Sequence, residues 1–372
     1  MERIQSKAII SDLQKKIVLL SGPRQVGKTW LAKHIATSFK NPLYLNYDRL
    51  EDRNIIHKES WLENIDFLIL DELHKMDGWK NYLKGVFDTK PEHLQILVTG
   101  SARLESFRQS GDSLAGRFFR HRLLPFSPAE LDLIGEVNDL STLIDKGGFP
   151  EPFLSADPND VNRWRMQYTD GLIRNDILDF ERIHDFRAIH LLFELLRTRV
   201  GSPVSFQSLA TDINISPNTV KKYMQILESL FIIFRVTPYS NNIARSILKS
   251  PKIYFFDNGL VKSDGARFEN FVAICLLKHV YGIEDYEGIP FQLHYLRTKE
   301  GQEVDFCLTR DGQPECMIEV KQSDTSLSKN LYRFNQKYQI PGIQLVRHIK
   351  REQTIEGIEL RRADQYLLEL KL

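Results

Sequence analysis

Apolar residues in the first third of the chain form short continuous runs that alternate with stretches of helical spacing. Three of these runs cover residues 17–20, 67–70 and 95–99, and polar residues follow each of them. Continuous runs of this length are typical of strands that are buried on both faces of a parallel sheet. The pattern predicts an α/β domain with a parallel sheet over residues 1–135. Two further strand candidates are residues 43–46 and 122–124.

Helical spacing replaces the strand pattern after Pro125 and predicts helices over residues 136–200. Beyond Gly201, two short helices are predicted, with Ser216 as the N-cap of the second and Pro217 in its first turn. This is a helix-turn-helix pattern, and strands predicted at residues 231–238 and 252–255 would complete a winged helix over residues 201–260.

The second of these helices has a polar outer face made of Asn218, Lys221, Lys222 and Gln225. Side chains in such positions contact the bases or phosphates of a nucleic acid in many helix-turn-helix proteins. Winged helices also serve as packing or protein-contact modules. The pattern therefore leaves two interpretations open, a nucleic-acid contact through Asn218, Lys221 and Lys222 and a protein contact.

Apolar and polar residues alternate in two C-terminal segments, residues 304–308 and 316–321. Pairing Val304 with Val320, Phe306 with Ile318 and Leu308 with Cys316 gives a hairpin with one apolar face. This register places Asp305 opposite Glu319, with Lys321 on the same face as Glu319. It also requires an odd-numbered loop, predicted to have three residues and a bulge. A charged edge hairpin without a catalytic role is the alternative interpretation.

The run at residues 17–20 is followed by the complete phosphate-binding pattern G-x-x-x-x-G-K-[ST] and then by helix-like residues from Trp30 onward. Glycines allow backbone N–H groups to surround a polyphosphate, and the helix that follows adds a positive field. Lys28 is predicted to reach the β- and γ-phosphates and Thr29 to bind Mg²⁺. The predicted nucleotide-binding residues of this segment are Gly22, Pro23, Arg24, Gln25, Val26, Gly27, Lys28, Thr29 and Trp30.

Polar residues at the ends of the next two strands predict the rest of an ATP site. Asp71 would hold the Mg²⁺ ion, and Glu72 would polarise the attacking water. An acidic helix start is the alternative for this pair. Thr99 or Ser101, at the end of the strand at residues 95–99, would lie near the γ-phosphate, and an ordinary helix cap by Ser101 is the alternative.

The composition narrows the class of protein. The 372 residues carry a net charge of +1, with 42% hydrophobic and 27% charged residues, as in ordinary globular proteins of two to three domains. Nucleic-acid contact must therefore come from a local patch. We expect no membrane segment and no secretory signal, and the three cysteines fit neither a disulfide framework nor a zinc site. These features predict a cytoplasmic protein.

These motifs resemble those of a prokaryotic branch of the AAA+ ATPases whose members carry a C-terminal domain of unknown function. The resemblance covers essentially the whole chain. It implies a P-loop core over residues 1–135 with a five-stranded parallel sheet, a helical lid over residues 136–200, and ATP with Mg²⁺ as cofactors. It also implies a homo-oligomer in which an arginine of one subunit reaches the γ-phosphate of the next. Arg117 is the candidate and Arg120 the second choice, and a surface arginine is the alternative for both.

The C-terminal hairpin resembles the PD-(D/E)xK nuclease signature, with Asp305 and then Glu319-x-Lys321. This resemblance implies a restriction-endonuclease-like α/β domain over residues 261–372, with Glu269 as an additional carboxylate. It also implies Mg²⁺ bound by Glu269, Asp305 and Glu319, and a water oriented by Lys321. The expected function is an ATPase whose nucleotide state controls a C-terminal module that is directed at nucleic acid. One version of this expectation makes that module a nuclease. The rival expectation is a switch or remodelling ATPase with a catalytically silent C-terminal domain.

Overall fold

A computed structural model describes residues 3–100, 114–135, 140–172, 185–240, 250–323 and 326–371. The chain forms two compact units. The first comprises Met1–Leu124 with Ser229–Phe231, and the second comprises Pro125–Glu228 with Ile232–Leu372. The predicted division into four domains, with boundaries near residues 135, 200 and 260, is finer than this and stays a prediction.

The first unit has a central sheet of five parallel strands in the order β2-β3-β4-β1-β5. Every residue of β1 and β3 is buried, as the continuous apolar runs predicted. The five-stranded parallel sheet is therefore confirmed. Its elements are α1 (Ser6–Leu13), β1 (Ile17–Ser21), α2 (Lys28–Ala36), β2 (Pro42–Asn46), α3 (Leu50–Lys58), β3 (Phe67–Asp71), a 3₁₀ turn (Leu73–Lys75), α4 (Trp79–Thr89), β4 (Gln95–Thr99) and β5 (Phe118–Arg122).

The fifth strand corrects the sequence prediction, which placed it at residues 122–124. The strand is Phe118–Arg122 and pairs with β1 along its whole length. It lies at the edge of the sheet and is rich in basic residues, so it lacks the apolar run that marks a central strand. Leu123 and Leu124 are fully buried, but they follow the strand, and Arg3 donates a hydrogen bond to the carbonyl of Leu124 at 2.6 Å.

The second unit contains a mixed sheet of eight strands in the order β12-β13-β11-β10-β9-β8-β6-β7. The strands are β6 (Ile233–Pro238), β7 (Lys252–Phe255), β8 (Phe291–Arg297), β9 (Glu303–Arg310), β10 (Gln313–Lys321), β11 (Gly342–Val346), β12 (Gln353–Ile355) and β13 (Ile358–Arg362). The helices that precede the sheet are α5 (Pro128–Leu133), α6 (Leu140–Lys146), α7 (Pro150–Leu154), α8 (Pro158–Gly171), α9 (Phe186–Arg197), α10 (Phe206–Ile213) and α11 (Pro217–Ser229). Those within and after it are α12 (Asp264–Glu287), α13 (Lys329–Tyr338) and α14 (Ala363–Glu369).

A winged helix was predicted over residues 201–260. In the structure this range contains helices α10 and α11 and strands β6 and β7, close to their predicted positions. Asn214 ends α10 in the left-handed conformation, and Ser216 Oγ accepts a hydrogen bond from the Thr219 amide at 3.1 Å, as an N-cap does. The strands β6 and β7 pair antiparallel, and β6 also pairs with β8. The two predicted wing strands are therefore part of the same sheet as the C-terminal strands, and the winged helix as a separate module stays a prediction.

The hairpin β9–β10 has the predicted register. Cys316 pairs with Leu308 and Ile318 with Phe306. The predicted three-residue loop was wrong, because only Asp311 and Gly312 separate the strands, both at positive φ, and the register shifts instead between Pro314 and Cys316. A two-residue loop of this kind matches the twist of the strands, and the bulge within β10 supplies the odd residue that the register needs.

No helix in the described ranges is long and apolar enough to cross a bilayer.

Candidate functional site

The phosphate-binding loop connects β1 to α2, and its two glycines occupy conformations that other residues rarely adopt. Gly22 has φ +148° and Gly27, the N-cap of α2, has φ +99°. A Cβ atom on Gly22 would lie 2.1 Å from the carbonyl oxygen of Leu123, so this position has no space for a side chain. Gly22 is therefore required both by the backbone turn and by the chain that follows β5.

Lys28 is the first residue of α2, and its ammonium group lies inside the loop. Its Nζ donates hydrogen bonds to the carbonyl oxygens of Gly22 at 2.8 Å and Pro23 at 2.6 Å. The side chain is buried, and burial lowers the pKa of Lys28 to about 8, against the opposing effect of the nearby Glu72 and Asp71 charges. A buried cation that faces neutral carbonyls gains strongly from an anionic ligand, as expected of a phosphate-binding lysine.

Asp71, at the C-terminal end of β3, accepts hydrogen bonds from three hydroxyl groups. Thr29 Oγ1 bonds to Oδ2 at 3.0 Å, Tyr44 Oη bonds to the same oxygen at 2.6 Å, and Thr99 Oγ1 bonds to Oδ1. The strand order places β3 between β2 and β4, which explains why Tyr44 and Thr99 reach this carboxylate. The network fixes Asp71 beside Thr29, the pair that holds Mg²⁺ in phosphate-binding loops.

Glu72 directly follows β3 and adopts a left-handed backbone conformation, with φ 58°. Its amide donates to the carbonyl of Thr99 at 3.0 Å, and its carboxylate lies 3.5 Å from Lys75 Nζ and 3.6 Å from His74 Nε2. Burial raises the pKa of Glu72, and the charges of Lys75 and Lys28 oppose this shift. A carboxylate with a raised pKa is better suited to accept a proton from water than an exposed one.

The remaining predicted residues of the ATP site are distributed around the loop. Pro23 and Val26 are buried, whereas Arg24, Gln25 and Trp30 are exposed, and Trp30 stacks on His34. Ser101 lies outside the described residues. Arg117 forms an exposed pair with Asp88 through two hydrogen bonds of 2.8 and 3.1 Å, and its role as an arginine that reaches a neighbouring nucleotide stays a prediction.

The N-terminal site fits ATP and Mg²⁺. Lys28 and the loop amides would hold the phosphates, and Thr29 with Asp71 would hold the metal ion, which supplies charge neutralisation of the phosphates. The observation that carries this fit is the pairing of the Thr29 hydroxyl with the buried Asp71 carboxylate, because both are oxygen ligands of the kind that Mg²⁺ prefers.

The predicted nuclease-like residues come together in the second unit. Asp305 Oδ2 accepts a hydrogen bond from the Val320 amide at 3.0 Å, which joins β9 to β10 beside Glu319. Glu319 Oε1 accepts from Lys321 Nζ at 2.8 Å and from the Ser328 hydroxyl at 3.2 Å. Burial raises the pKa of Glu319, the charge of Asp305 adds to this shift, and Lys321 opposes it.

A residue outside the prediction occupies the centre of this region. Lys252, on β7, is 1% exposed, and its Nζ lies 2.8 Å from Glu303, 3.2 Å from Asp305 and 3.4 Å from Glu269. Tyr254 Oη donates to Glu269 at 2.7 Å. The structure therefore brings Glu269 and Asp305 together around an ammonium group.

The donor set around Lys252 does not fit a bound metal ion. Both oxygens of Asp305 already accept hydrogen bonds, one from Lys252 and one from Val320. In the portions of the chain that the structure describes, no three His, Cys, Asp or Glu side chains are grouped so as to hold a metal ion. The roles of Glu269, Asp305 and Glu319 as metal ligands and of Lys321 as a catalytic residue stay predictions.

The four polar residues predicted on one face of α11 are exposed, and their contact with nucleic acid stays a prediction. Asn218, Lys221, Lys222 and Gln225 are all exposed, whereas Val220, Tyr223 and Leu227 on the opposite side are buried. The spacing of three and four residues places the four polar side chains on one side of the helix. No ligand of this face follows from the geometry alone.

Three functional residues were missed from the sequence. Tyr44 lies in a predicted strand, but only the strand order shows that it meets Asp71. Lys252 and Glu303 lie on different strands, and nothing in their local sequence marks them as partners. A lysine at the start of an otherwise apolar strand was the one available signal, because lysine is almost never fully buried unless it is paired.

Three family models match consecutive parts of the chain. Residues 14–131 match a model described as an AAA domain. Residues 137–264 and 264–362 match two models that are each described as a domain of unknown function, DUF8612 and DUF4143. Together with the geometry of the loop, the first match identifies the N-terminal unit as an AAA-type ATP-binding domain.

Relatives occur in bacteria and archaea. An uncharacterized protein of Mycobacterium tuberculosis is 24% identical over 324 residues, which cover 85% of this chain and 72% of that protein. An uncharacterized protein of Methanocaldococcus jannaschii is 22% identical over 371 residues, which cover 88% of this chain and 81% of that protein.

Similarity to solved structures is weaker. The Holliday junction branch migration motor RuvB of Thermotoga maritima aligns with 62% of this chain and 88% of its own, at 19% identity and a TM-score of 0.34. A signal transduction ATPase with numerous domains from Pyrococcus horikoshii covers 76% of this chain and 48% of its own, at 15% identity and a TM-score of 0.25. Scores this low support no argument about function.

Proposed function

We propose that this protein is a Mg²⁺-dependent ATPase whose nucleotide state controls a nucleic-acid-directed C-terminal module. The observation that carries the first part is the position of Lys28, which is buried in the loop against neutral carbonyl oxygens, with Thr29 and Asp71 paired beside it. For the second part, the support is the exposed polar face of α11.

The residues of the site divide the work of hydrolysis. Lys28 and the amides of the loop bind the β- and γ-phosphates and stabilise the charge that spreads over them in the transition state. Asp71 and Thr29 would hold Mg²⁺, and Tyr44 and Thr99 keep the Asp71 carboxylate in place through their hydroxyl groups. Glu72 orients the attacking water and accepts its proton.

Two variants test this assignment. Lys28→Ala removes the cation of the loop, so binding of a fluorescent ATP analogue should weaken by at least about a hundredfold, the effect of losing strong charge-assisted hydrogen bonds. Glu72→Gln keeps the shape of the site, so ATP binding should persist while phosphate release falls by about 10²–10⁴-fold. Glu92→Gln, at an exposed carboxylate before β4, is the matched control and should behave as wild type. Wild-type turnover in Glu72→Gln would contradict the role of Glu72.

The assembly is part of the proposal. Arg117 is partly exposed and pairs with Asp88, a surface position that an arginine acting on a neighbouring subunit could have. Arg117→Ala should bind ATP normally but hydrolyse it slowly, and mixing it with Lys28→Ala should restore part of the activity in mixed oligomers. Arg120→Ala is the parallel variant for the second candidate. Mixed samples without any recovery would count against an action between subunits.

The C-terminal carboxylate region supports a second form of the proposal. Because the ammonium group of Lys252 already occupies the space between Glu303, Asp305 and Glu269, the geometry favours a C-terminal domain that binds a nucleic acid or a protein over one that cleaves DNA. Incubation of the full chain with single-stranded, duplex and branched DNA in Mg²⁺ or Mn²⁺ distinguishes the two forms. Cleavage that is lost in both Asp305→Ala and Lys321→Ala would establish the nuclease form.

A further inference from the structure

The carboxylates Glu269, Glu303 and Asp305 enclose the ammonium group of Lys252, and we call these four residues the lysine cage. They come from three separate elements, because Glu303 and Asp305 lie on β9, Glu269 lies on α12 and Lys252 lies on β7. Lys252 is almost completely buried, whereas each of the three carboxylate side chains is about one-fifth exposed. The cation therefore lies beneath the acidic groups and not in solvent above them.

The lysine cage offers one carboxylate for each N–H donor of the ammonium group. An ammonium group has three N–H donors, and three carboxylates lie between 2.8 and 3.4 Å from Lys252 Nζ. The ring of Tyr295 lies against the same ammonium, with 5.5 Å from Nζ to the ring centre. The cation thus has a complete set of partners within the protein.

The backbone around the lysine cage is adapted to this arrangement. Gly201 has φ +74°, and a Cβ atom there would lie 2.7 Å from Glu269 Oε1, so the glycine leaves space for the Glu269 carboxylate. Tyr254 donates to the same oxygen, and Arg297 pairs with the second oxygen of Glu303 at 3.1 Å. Each acidic group of the cage is held by a partner other than Lys252, which fixes its position.

A metal ion would need the space that Lys252 occupies. Oxygen ligands approach Mg²⁺ to about 2.0–2.1 Å, and an ion placed between Glu269 and Asp305 would meet the ammonium group and its like charge. One observation favours a metal ion in this region. Glu319 is buried, and its Oε2 has no hydrogen-bond partner among the described residues. A single oxygen does not make a metal site, and the other Glu319 oxygen is bound to Lys321 and Ser328.

We propose that the ammonium group of Lys252 is the resident cation of this carboxylate site and takes the place that a divalent metal ion would have. The wild-type protein then binds no divalent ion between Glu269 and Asp305. Removing the ammonium group while keeping the carboxylates creates an acidic cavity, and this cavity binds a divalent cation. The proposal is independent of ATP hydrolysis, which is tested at the other unit.

The test is direct measurement of Mn²⁺ binding to the full chain without nucleotide, by electron paramagnetic resonance of the free ion. Wild type and Asp305→Asn should bind equal numbers of Mn²⁺ ions. Lys252→Met, which keeps most of the unbranched side chain but ends one heavy atom short of the ammonium position, should bind one additional ion per chain, and the double variant Lys252→Met/Asp305→Asn should lose it. The addition of Mn²⁺ should raise the melting temperature of Lys252→Met and leave that of wild type unchanged.

Lys278→Met is the matched control, because Lys278 is equally buried and pairs with Glu130 at 2.5 Å and the carbonyl of Pro125 at 3.0 Å. It should be destabilised without gaining a Mn²⁺ ion. Loss of one bound ion in Asp305→Asn relative to wild type would overturn the proposal, and this comparison does not depend on the folding of Lys252→Met. A folded Lys252→Met variant that gains no Mn²⁺ would overturn it as well.

Discussion

Two buried lysines, Lys28 in the first unit and Lys252 in the second, differ in what surrounds their ammonium groups. Lys28 contacts the carbonyl oxygens of Gly22 and Pro23, which carry no net charge. Lys252 contacts three carboxylates. A buried charge must be compensated, and the two sites reach this compensation in different ways. Lys252 is compensated within the protein, whereas Lys28 is compensated fully only when an anion binds.

The pKa values of the two lysines shift in opposite directions for this reason. Burial lowers the pKa of Lys28 to about 8. Burial also acts to lower the pKa of Lys252, but the charges of Asp305, Glu269 and Glu303 outweigh it and raise the pKa above its ordinary value. The contrast teaches that a buried lysine indicates a ligand site only where its charge is left uncompensated. By this criterion the first unit is prepared for a polyphosphate and the lysine cage is already complete.

The largest expected effect on stability comes from breaking the lysine cage. Lys252→Met leaves three partly buried carboxylates without their cation, so the free energy of unfolding should fall by about 3–5 kcal/mol in urea denaturation at pH 7. Lys262→Met, at a lysine that is 60% exposed and paired with Glu194 at 3.6 Å, is the control and should change stability by less than about 1 kcal/mol. A loss as small in Lys252→Met as in the control would show that the cage adds nothing to folding.

The second prediction is a gain in stability, whereas the first is a loss. The folded protein holds Lys28 with a pKa of about 8, below its ordinary value of 10.5. Between these two values the unfolded chain binds more protons at this lysine than the folded protein does, so the free energy of unfolding rises with pH. Below pH 8 the lysine is protonated in both states, and the full cost of burying its charge lowers stability. Lys28→Met should therefore stabilise the nucleotide-free protein at pH 7 by up to about 3 kcal/mol.

The measurement that checks this is the difference in unfolding free energy between wild type and Lys28→Met at several pH values. The difference should shrink as the pH rises from 8 to 10.5, because the wild-type lysine loses its proton in the folded state. In the presence of ATP and Mg²⁺ the order should reverse, since bound nucleotide stabilises only the protein that can hold it. A variant that is less stable than wild type at pH 7 without nucleotide would contradict the comparison.

The first unit was largely predictable because its signals are local. A continuous apolar run predicts a buried strand, and the glycines, Lys28 and Thr29 follow one another in the chain. The same reasoning misplaced β5, since Phe118–Arg122 carries basic residues at a sheet edge and the apolar signal lies in Leu123 and Leu124. The partnership of Tyr44 with Asp71 depends on strand order, which no local pattern contains.

The second unit was predictable only in part. Alternation fixed the register of β9 and β10, because a slip of one residue would expose the apolar face. The length of the loop was wrong, since the pattern of side chains does not show where a bulge lies. The lysine cage joins residues from separate elements, Lys252, Glu269 and Glu303, and a sequence motif cannot reveal a contact between residues that are far apart in the chain.

The smallest expected effect concerns a third kind of lysine, one that lies on the surface. Lys221 and Lys222 are exposed on α11, so we expect them to have little influence on stability. If this face binds nucleic acid, the double change Lys221→Ala/Lys222→Ala should weaken binding to all sequences and reduce the slope of log affinity against log salt by about one per lost contact.

The control is the exposed pair Lys58 and Lys84. The same double change at these two lysines should leave both the affinity and the slope unchanged. Fluorescence anisotropy of labelled DNA at several salt concentrations measures the slope. An unchanged slope in the α11 variant, with its fold intact, would assign this face to a protein partner. The loss of phosphate contacts would reduce the number of counterions released and therefore the slope.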